Sequence, residues 1–298
     1  MMLGIRAHDL GKHTPEAFAK AVSDSKLSSI QLVLPKAIDF QSEDALINDP
    51  RLKATLTKAL SQNKVKVAMM GAYFNPIHSN SATREAGINN FRAHLAKAKD
   101  YGTDYVGTET GSYNDDQWTW HPNNQSEEAY LKVLQTFQGL LPTAVEAGTY
   151  LTIEPAYHHV ISTPIRLKRL VDELDSPQVR VIFDLFNLLH DGNYLEQHRL
   201  IDEMVELFCD KIVIVHAKDF VVEGGKIRQV APGQGLLDYP YLLKKLGELK
   251  ATPQLILEGV VGEDIEFSRQ FLSSLMEEIY ENKPNGNADG GNLRAGGF

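Results

Sequence analysis

A single cysteine, Cys209, is present in the 298-residue chain. No intrachain disulfide can form and no thiolate metal cluster is available. Cys209 falls at helical spacing in "MVELFCDK", where an inert buried thiol is the expectation. No run of about 18 apolar residues occurs, and the amino-terminal stretch lacks a long apolar h-region. Neither a membrane span nor a leader is read, and a cytoplasmic location is the expectation. Positive charge is scarce, with 30 Lys and Arg against 39 Asp and Glu and a net charge of −9. A nucleic-acid partner needs a basic face to neutralise phosphates and is thereby disfavoured. A local basic pocket for one small phosphate stays compatible with that balance. The first apolar run opens "LGIRAHDLGKH". It lacks the G-x-G-x-x-G turn that an open dinucleotide-binding sheet would carry.

What is present is regular. Hydrophobic residues make up 43% and charged residues 23%, enough for one sizeable core. Short aliphatic and β-branched runs read as strands over 3–6, 29–33, 65–71, 104–108, 150–154, 179–184, 212–217 and 254–258. Longer stretches between them carry helical spacing. Ile201, Met204, Val205 and Phe208 share one face, as do Phe271, Leu272, Leu275 and Ile279. Thr14-Pro15 and Thr163-Pro164 look like helix starts, with proline at the first helical position. Ser126 precedes an acidic first turn, which the helix dipole favours. This alternation predicts an α/β fold, a single (β/α)8 TIM barrel of parallel strands over residues 1–281. The Gly- and Asn-rich stretch 282–298 reads as a flexible tail.

The barrel reading requires site residues at the carboxyl ends of the strands, where the βα loops emerge. The fifth strand ends in Glu154, the sixth in Asp184, the seventh in His216 and the eighth in Glu258. A lone acid after a strand is ordinarily a helix cap or a surface ion pair. Four consecutive strand ends bearing such groups are different, because the barrel gathers them at one rim. Three carboxylates brought together repel one another, and a divalent cation resolves the repulsion. Three oxygen donors and an imidazole favour Mn²⁺, Mg²⁺ or Co²⁺ and also admit Zn²⁺.

The segments "TIEPAYHHV", "VIFDLFNLL", "VHAKD", "APGQGLLDY" and "LILEG" together resemble the xylose isomerase-like barrel superfamily. Within it the chain is most similar to the sugar phosphate isomerase/epimerase branch, over residues 3 to 280. That resemblance implies one divalent metal held by Glu154, Asp184, His216 and Glu258. It also implies that Glu154 and Glu258 exchange protons with a substrate carbon next to a metal-bound carbonyl, through an enediolate. The implied partner is a small sugar or sugar phosphate, and family members form dimers or tetramers, so a homo-oligomer is compatible. Many relatives carry His three residues after the strand-six Asp, where this chain has Asn187. Asn187 can hydrogen-bond a sugar oxygen but cannot act as a base near neutral pH. Relatives also tend to place an Arg ahead of the P-G-x-G turn, and Arg228 is the candidate.

Other rim residues are read from position. His159 shares a loop with Glu154 and is a candidate substrate contact. Lys218 stands just beyond His216, where it meets a phosphate, orients a ligand or makes a rim salt bridge near Asp219. Glu109 closes the fourth strand and faces the same rim. His8 and His78 read as structural. Trp118, Trp120 and His121 lie in the long loop 110–125 and suit a lid, a pocket wall or packing over the barrel mouth. The "GQG" at 233–235 reads as a turn. Three alternatives share the fold: an inosose dehydratase-like lyase, an endonuclease IV-like enzyme and a non-catalytic sugar-binding barrel. The nuclease is disfavoured by Asn187, by the missing Asp-x-His pair after strand seven and by the acidic charge.

Overall fold

The computed structural model describes residues 1–42, 45–117 and 119–281. The predicted tail 282–298 and Trp118 lie outside the described residues. The strands are β1 (Met2–Arg6), β2 (Ser29–Leu32), β3 (Lys66–Gly71), β4 (Tyr105–Glu109), β5 (Tyr150–Glu154), β6 (Val179–Asp184), β7 (Ile212–Ala217), β8 (Asp219–Glu223), β9 (Lys226–Val230) and β10 (Gln254–Leu257). All but β8 and β9 form a closed barrel in the order β1-β10-β7-β6-β5-β4-β3-β2. Every pairing in it is parallel. The predicted runs match these barrel strands to within one residue at each end. The ring closes by pairing β1 with β10, from Met2 opposite Gln254 to Ile5 opposite Leu257.

A helix follows each barrel strand and covers the outer face: Pro15–Asp24, Pro50–Gln62, Ser81–Lys97, Glu127–Gln138, Pro164–Leu174, Gln197–Leu207, Tyr239–Leu246 and Glu263–Met276. Both faces of the strands are thus covered, which explains their near-continuous apolar runs. Ser126 and Thr163 accept the backbone N–H of Ala129 and Arg166. Thr14 occupies the cap position ahead of Pro15 without a side-chain cap bond. Ile201, Met204, Val205 and Phe208 are buried. Of the last predicted stripe Leu272 is buried, and Phe271, Leu275 and Ile279 pack against the core half-exposed. Cys209 is only partly buried, against expectation. Among the described residues no helix is long and apolar enough to cross a membrane.

Side chains alternate across each strand, so residues two apart share a face. Met69, Ile182, Ile214 and Ile256 form a small apolar cluster apart from the main core, with Gly107 beneath Met69. A Cβ on Gly107 would stand 2.5 Å from Met69 Sδ and 2.9 Å from Ile182 Cδ1. These contacts across the ring mark the barrel interior. Asp184, His216 and Glu258 follow Ile182, Ile214 and Ile256 by two positions, so all three face inward one layer higher. The same alternation puts Arg6, Gln31, Glu109 and Glu154 on the inner face.

The segment between β7 and the next helix is more structured than the sequence reading allowed. β8 and β9 pair antiparallel from Asp219 opposite Val230 to Glu223 opposite Lys226. Gly224 and Gly225 make the turn with φ of 58° and 79°, the left-handed pair that a two-residue hairpin of matching twist requires.

Candidate metal centre

At the carboxyl rim one ligand atom from each of Glu154, Asp184, His216 and Glu258 lies within 4.8 Å of the others. Imidazole Nδ1 of His216 is the hub. It stands 3.1 Å from Glu154 Oε1, 3.4 Å from Asp184 Oδ2 and 2.9 Å from Glu258 Oε2. Asp184 serves two ends at once. Its Oδ1 accepts the backbone N–H of Asn187 at 3.0 Å and caps the short helix Leu185–Leu188. Its Oδ2 points into the cluster, 2.7 Å from Lys218 Nζ and 3.4 Å from His216 Nδ1. Three hard oxygen donors and one imidazole gathered this closely fit a divalent cation.

Residues from both halves of the chain hold these groups in place. Gln31 Oε1 accepts the Nε2 proton of His216 at 2.6 Å, and Gln31 Nε2 donates to Tyr73 Oη at 2.7 Å. With Nε2 committed as a donor to Gln31, Nδ1 is the nitrogen that faces the three carboxylates. Arg6 spans Asp9 Oδ1 at 2.7 Å and Glu258 Oε1 at 2.9 Å. Asn187 donates to Glu154 Oε1 at 2.8 Å and accepts from Lys218 Nζ at 3.1 Å. Lys218 also lies 3.1 Å from Glu258 Oε1. It therefore pairs with Asp184 and Glu258; the rim bridge expected near Asp219 does not form.

The charges shape one another. Burial pushes the Glu154 carboxyl up, against the pull of His216. Burial works the same way on Glu258, but Lys218, His216 and Arg6 outweigh it and hold that carboxyl well below the usual range. Asp184 is likewise held down by Lys218 and His216 despite its burial. The His216 ring resists charging because it is buried, yet Glu258 and Glu154 raise it well above the ordinary histidine value. Burial, with Glu154 and Glu258 nearby, pushes Glu109 up to about 8.

Two pockets flank the cluster. One, of about 560 Å³, is lined by Arg6, Gln31, Tyr73, Asn90, Glu154 and Glu258 among others. The other, of about 510 Å³, includes Glu109, Tyr157, His159, Asn187, His190 and Lys226. Glu109 lines both. Of the candidate substrate contacts, Asn187, His159 and Glu109 line these pockets, and the Lys218 ammonium sits in the cluster itself. Arg228 is not brought there. It is exposed on β9 and paired with Glu223 at 2.6 Å. Its neighbour Gln229 faces inward instead, donating to Glu258 O at 2.8 Å. His8 lines the first pocket, whereas His78 bonds Asp116 at 3.1 Å and braces the loop 110–125. Trp120 is 48% exposed and lines a separate groove with Ile165 and Leu188. Arg6, Gln31 and Tyr73 were not singled out from the sequence, although the inward alternation of β1 and β2 marks the first two.

Comparison with known proteins agrees with this architecture. The chain superposes on a D-tagatose 3-epimerase-like protein with a TM-score of 0.74 at 16% identity, covering 94% of this chain and 99% of that one. A D-psicose 3-epimerase solved in the presence of D-fructose gives 0.69 at 15% identity, covering 94% and 99%. The zinc-bound IOLI protein gives 0.68 at 17% identity, covering 94% and 98%. At these identities the likeness establishes the fold alone. No curated protein sequence matches the chain. A family model described as a xylose isomerase-like TIM barrel matches residues 19–275. That match spans most of the sequence, and the chain belongs to the xylose isomerase-like TIM barrel family.

Proposed function

We propose that the protein is a divalent-metal-dependent isomerase or epimerase of a sugar, with Glu154 and Glu258 as its proton-transfer groups. The observation that carries this reading is the convergence of Glu154, Asp184, His216 and Glu258 within 4.8 Å of one another. These four side chains would hold the ion, and three oxygens with one imidazole favour Mn²⁺, Mg²⁺ or Co²⁺. When bound, such an ion polarises a carbonyl and its neighbouring hydroxyl and makes the adjacent C–H more acidic.

The remaining chemistry belongs to the chain. Glu154 leaves β5 and Glu258 leaves β10, three positions apart around the ring, so the two carboxylates approach a flat substrate from different sides. Asn187 fixes Glu154 through Oε1 and Arg6 fixes Glu258 through Oε1. One carboxylate takes the proton; return by the other inverts the carbon, and return by the first to the neighbouring carbon interconverts aldose and ketose. Glu109, His159 and Asn187 are proposed to bind the substrate hydroxyls, with Lys218 holding Asp184 and Glu258 beside them. The structural likeness to ketose 3-epimerases supports the same reading.

The test is deuterium uptake from solvent into a panel of ketoses by the Mn²⁺-loaded protein. Wild type is expected to label the carbon next to the carbonyl. Glu154→Gln and Glu258→Gln are expected to lose labelling by roughly 100-fold or more, the scale of a general acid–base contribution. Undiminished labelling in either variant removes the two-carboxylate assignment. No labelling of any ketose by metal-loaded wild type overturns the isomerase reading.

A further inference from the structure

We infer that the substrate is an uncharged sugar and not its phosphate ester, an inference that rests on the isomerase reading above. Barrels of this architecture commonly seat a phosphate on backbone N–H groups of the loops after their last two strands. Here both loops have given those groups to carboxylates of the chain itself. After β7, Gly233 and Gly235 donate to Asp219 Oδ2 at 2.9 and 3.0 Å. Phe220 and Leu237 donate to Asp219 Oδ1 at 2.8 and 2.9 Å. Asp219 is buried, and a Cβ on Gly235 would stand 2.3 Å from its Oδ1. The carboxylate fills the cradle that an external anion would use.

After β10 the pattern repeats. Gly259 donates to Asp9 Oδ2 at 2.7 Å. The helix that follows carries Glu263, Asp264 and Glu266 in its first turn, so the positive end of its dipole is already matched by negative side chains.

The side-chain cations are also spoken for. Arg6 is divided between Asp9 and Glu258, and Lys218 between Asp184 and Glu258. What remains along the pockets is one exposed ammonium each, Lys36 and Lys226, and a lone exposed charge contributes little. The rest of the lining offers neutral hydrogen-bonding groups suited to hydroxyls, among them Asn90, Tyr73 and Asn187. Burial lowers the pKa of the lining His8 and His158, which favours their neutral forms. Tyr157, stacked on His190 with centroids 4.1 Å apart, presents an aromatic wall to the C–H face of a sugar ring.

The experiment uses matched pairs: D-fructose, D-tagatose, D-ribulose and D-xylulose, each with its terminal phosphate ester. The Mn²⁺-loaded full chain is assayed for deuterium uptake and, by calorimetry, for binding. The expected result is that at least one free ketose is labelled with a kcat/KM roughly 100-fold or more above its ester, the scale of an uncompensated like-charge contact. An ester labelled or bound more tightly than its parent sugar overturns this inference while leaving the isomerase reading intact. Failure of every sugar and every ester to be labelled or bound overturns both.

Discussion

Gln31 is not one of the four cluster residues, yet its contact with Nε2 leaves Nδ1 of His216 facing the carboxylates. Its Oε1 takes the Nε2 proton at 2.6 Å and its amide is itself anchored on Tyr73. Partners of this kind typically change metal affinity 10–100-fold. Gln31→Leu is therefore expected to weaken Mn²⁺ binding by about that factor in a calorimetric titration. Gln31→Glu, which keeps an acceptor at the same place, should retain most of it. Equal affinities for wild type and the leucine variant would remove the positioning role. His8 gives a second expectation at this scale. Burial and the neighbouring Arg6 push its imidazole down to about 4, while Asp9 and Glu258 pull the other way and Lys36 adds to Arg6. An unfolded chain takes up this proton near the ordinary histidine value, about 6.5. The folded state resists until about 4. Stability is thus fully present above the unfolded value and declines as pH falls through that interval. Urea midpoints at pH 7 and pH 5 should differ less in His8→Asn than in wild type; an unchanged difference counts against it.

Among the elements, the hairpin β8–β9 and the loop it feeds depend on one carboxylate. Asp219 collects N–H groups from Phe220, Gly233, Gly235 and Leu237. Asp219→Ala leaves these donors without a partner in a buried place, at a cost of about 3–5 kcal/mol. The urea midpoint should fall accordingly, and a change under about 1 kcal/mol would show that water replaces the carboxylate. The hairpin was legible in principle: "DFVVE" and "KIRQV" flank a Gly-Gly pair, a recognised hairpin signal. Reading the region as a loop had a further effect on Arg228. Strand alternation turns Arg228 outward and Gln229 inward, so an uncertainty of one residue selects the wrong face. By contrast, the four cluster residues were legible because each closes an apolar strand whose inward face the alternation fixes. Arg6 and Gln31 sit on strands by the same rule, but their partners lie 252 and 185 residues away. No local pattern encodes pairs so distant.

Taken whole, the molecule brings both ends of the chain to one rim. β5, β6, β7 and β10 present Glu154, Asp184, His216 and Glu258, while Arg6 of β1 and Gln31 of β2 orient Glu258 and His216 beside Asn187 and Lys218. Binding of an ion to the folded barrel alone should stabilise it by about 2.7 kcal/mol at a free concentration 100-fold above the Kd. That corresponds to a rise in Tm of roughly 5 °C. The rise should vanish in Asp184→Asn and in His216→Asn, and a Tm insensitive to Mn²⁺, Mg²⁺, Co²⁺ and Zn²⁺ would count against the metal centre.

The ion pair between Arg6 and Glu258 crosses the seam where β1 meets β10. Its two partners lie 252 residues apart along the chain, so Glu258 gains this buttress only when the ring has closed. A barrel opened between its first and last strands loses the arginine that holds the Glu258 carboxylate, and the shape of the site is tied to the closure of the ring.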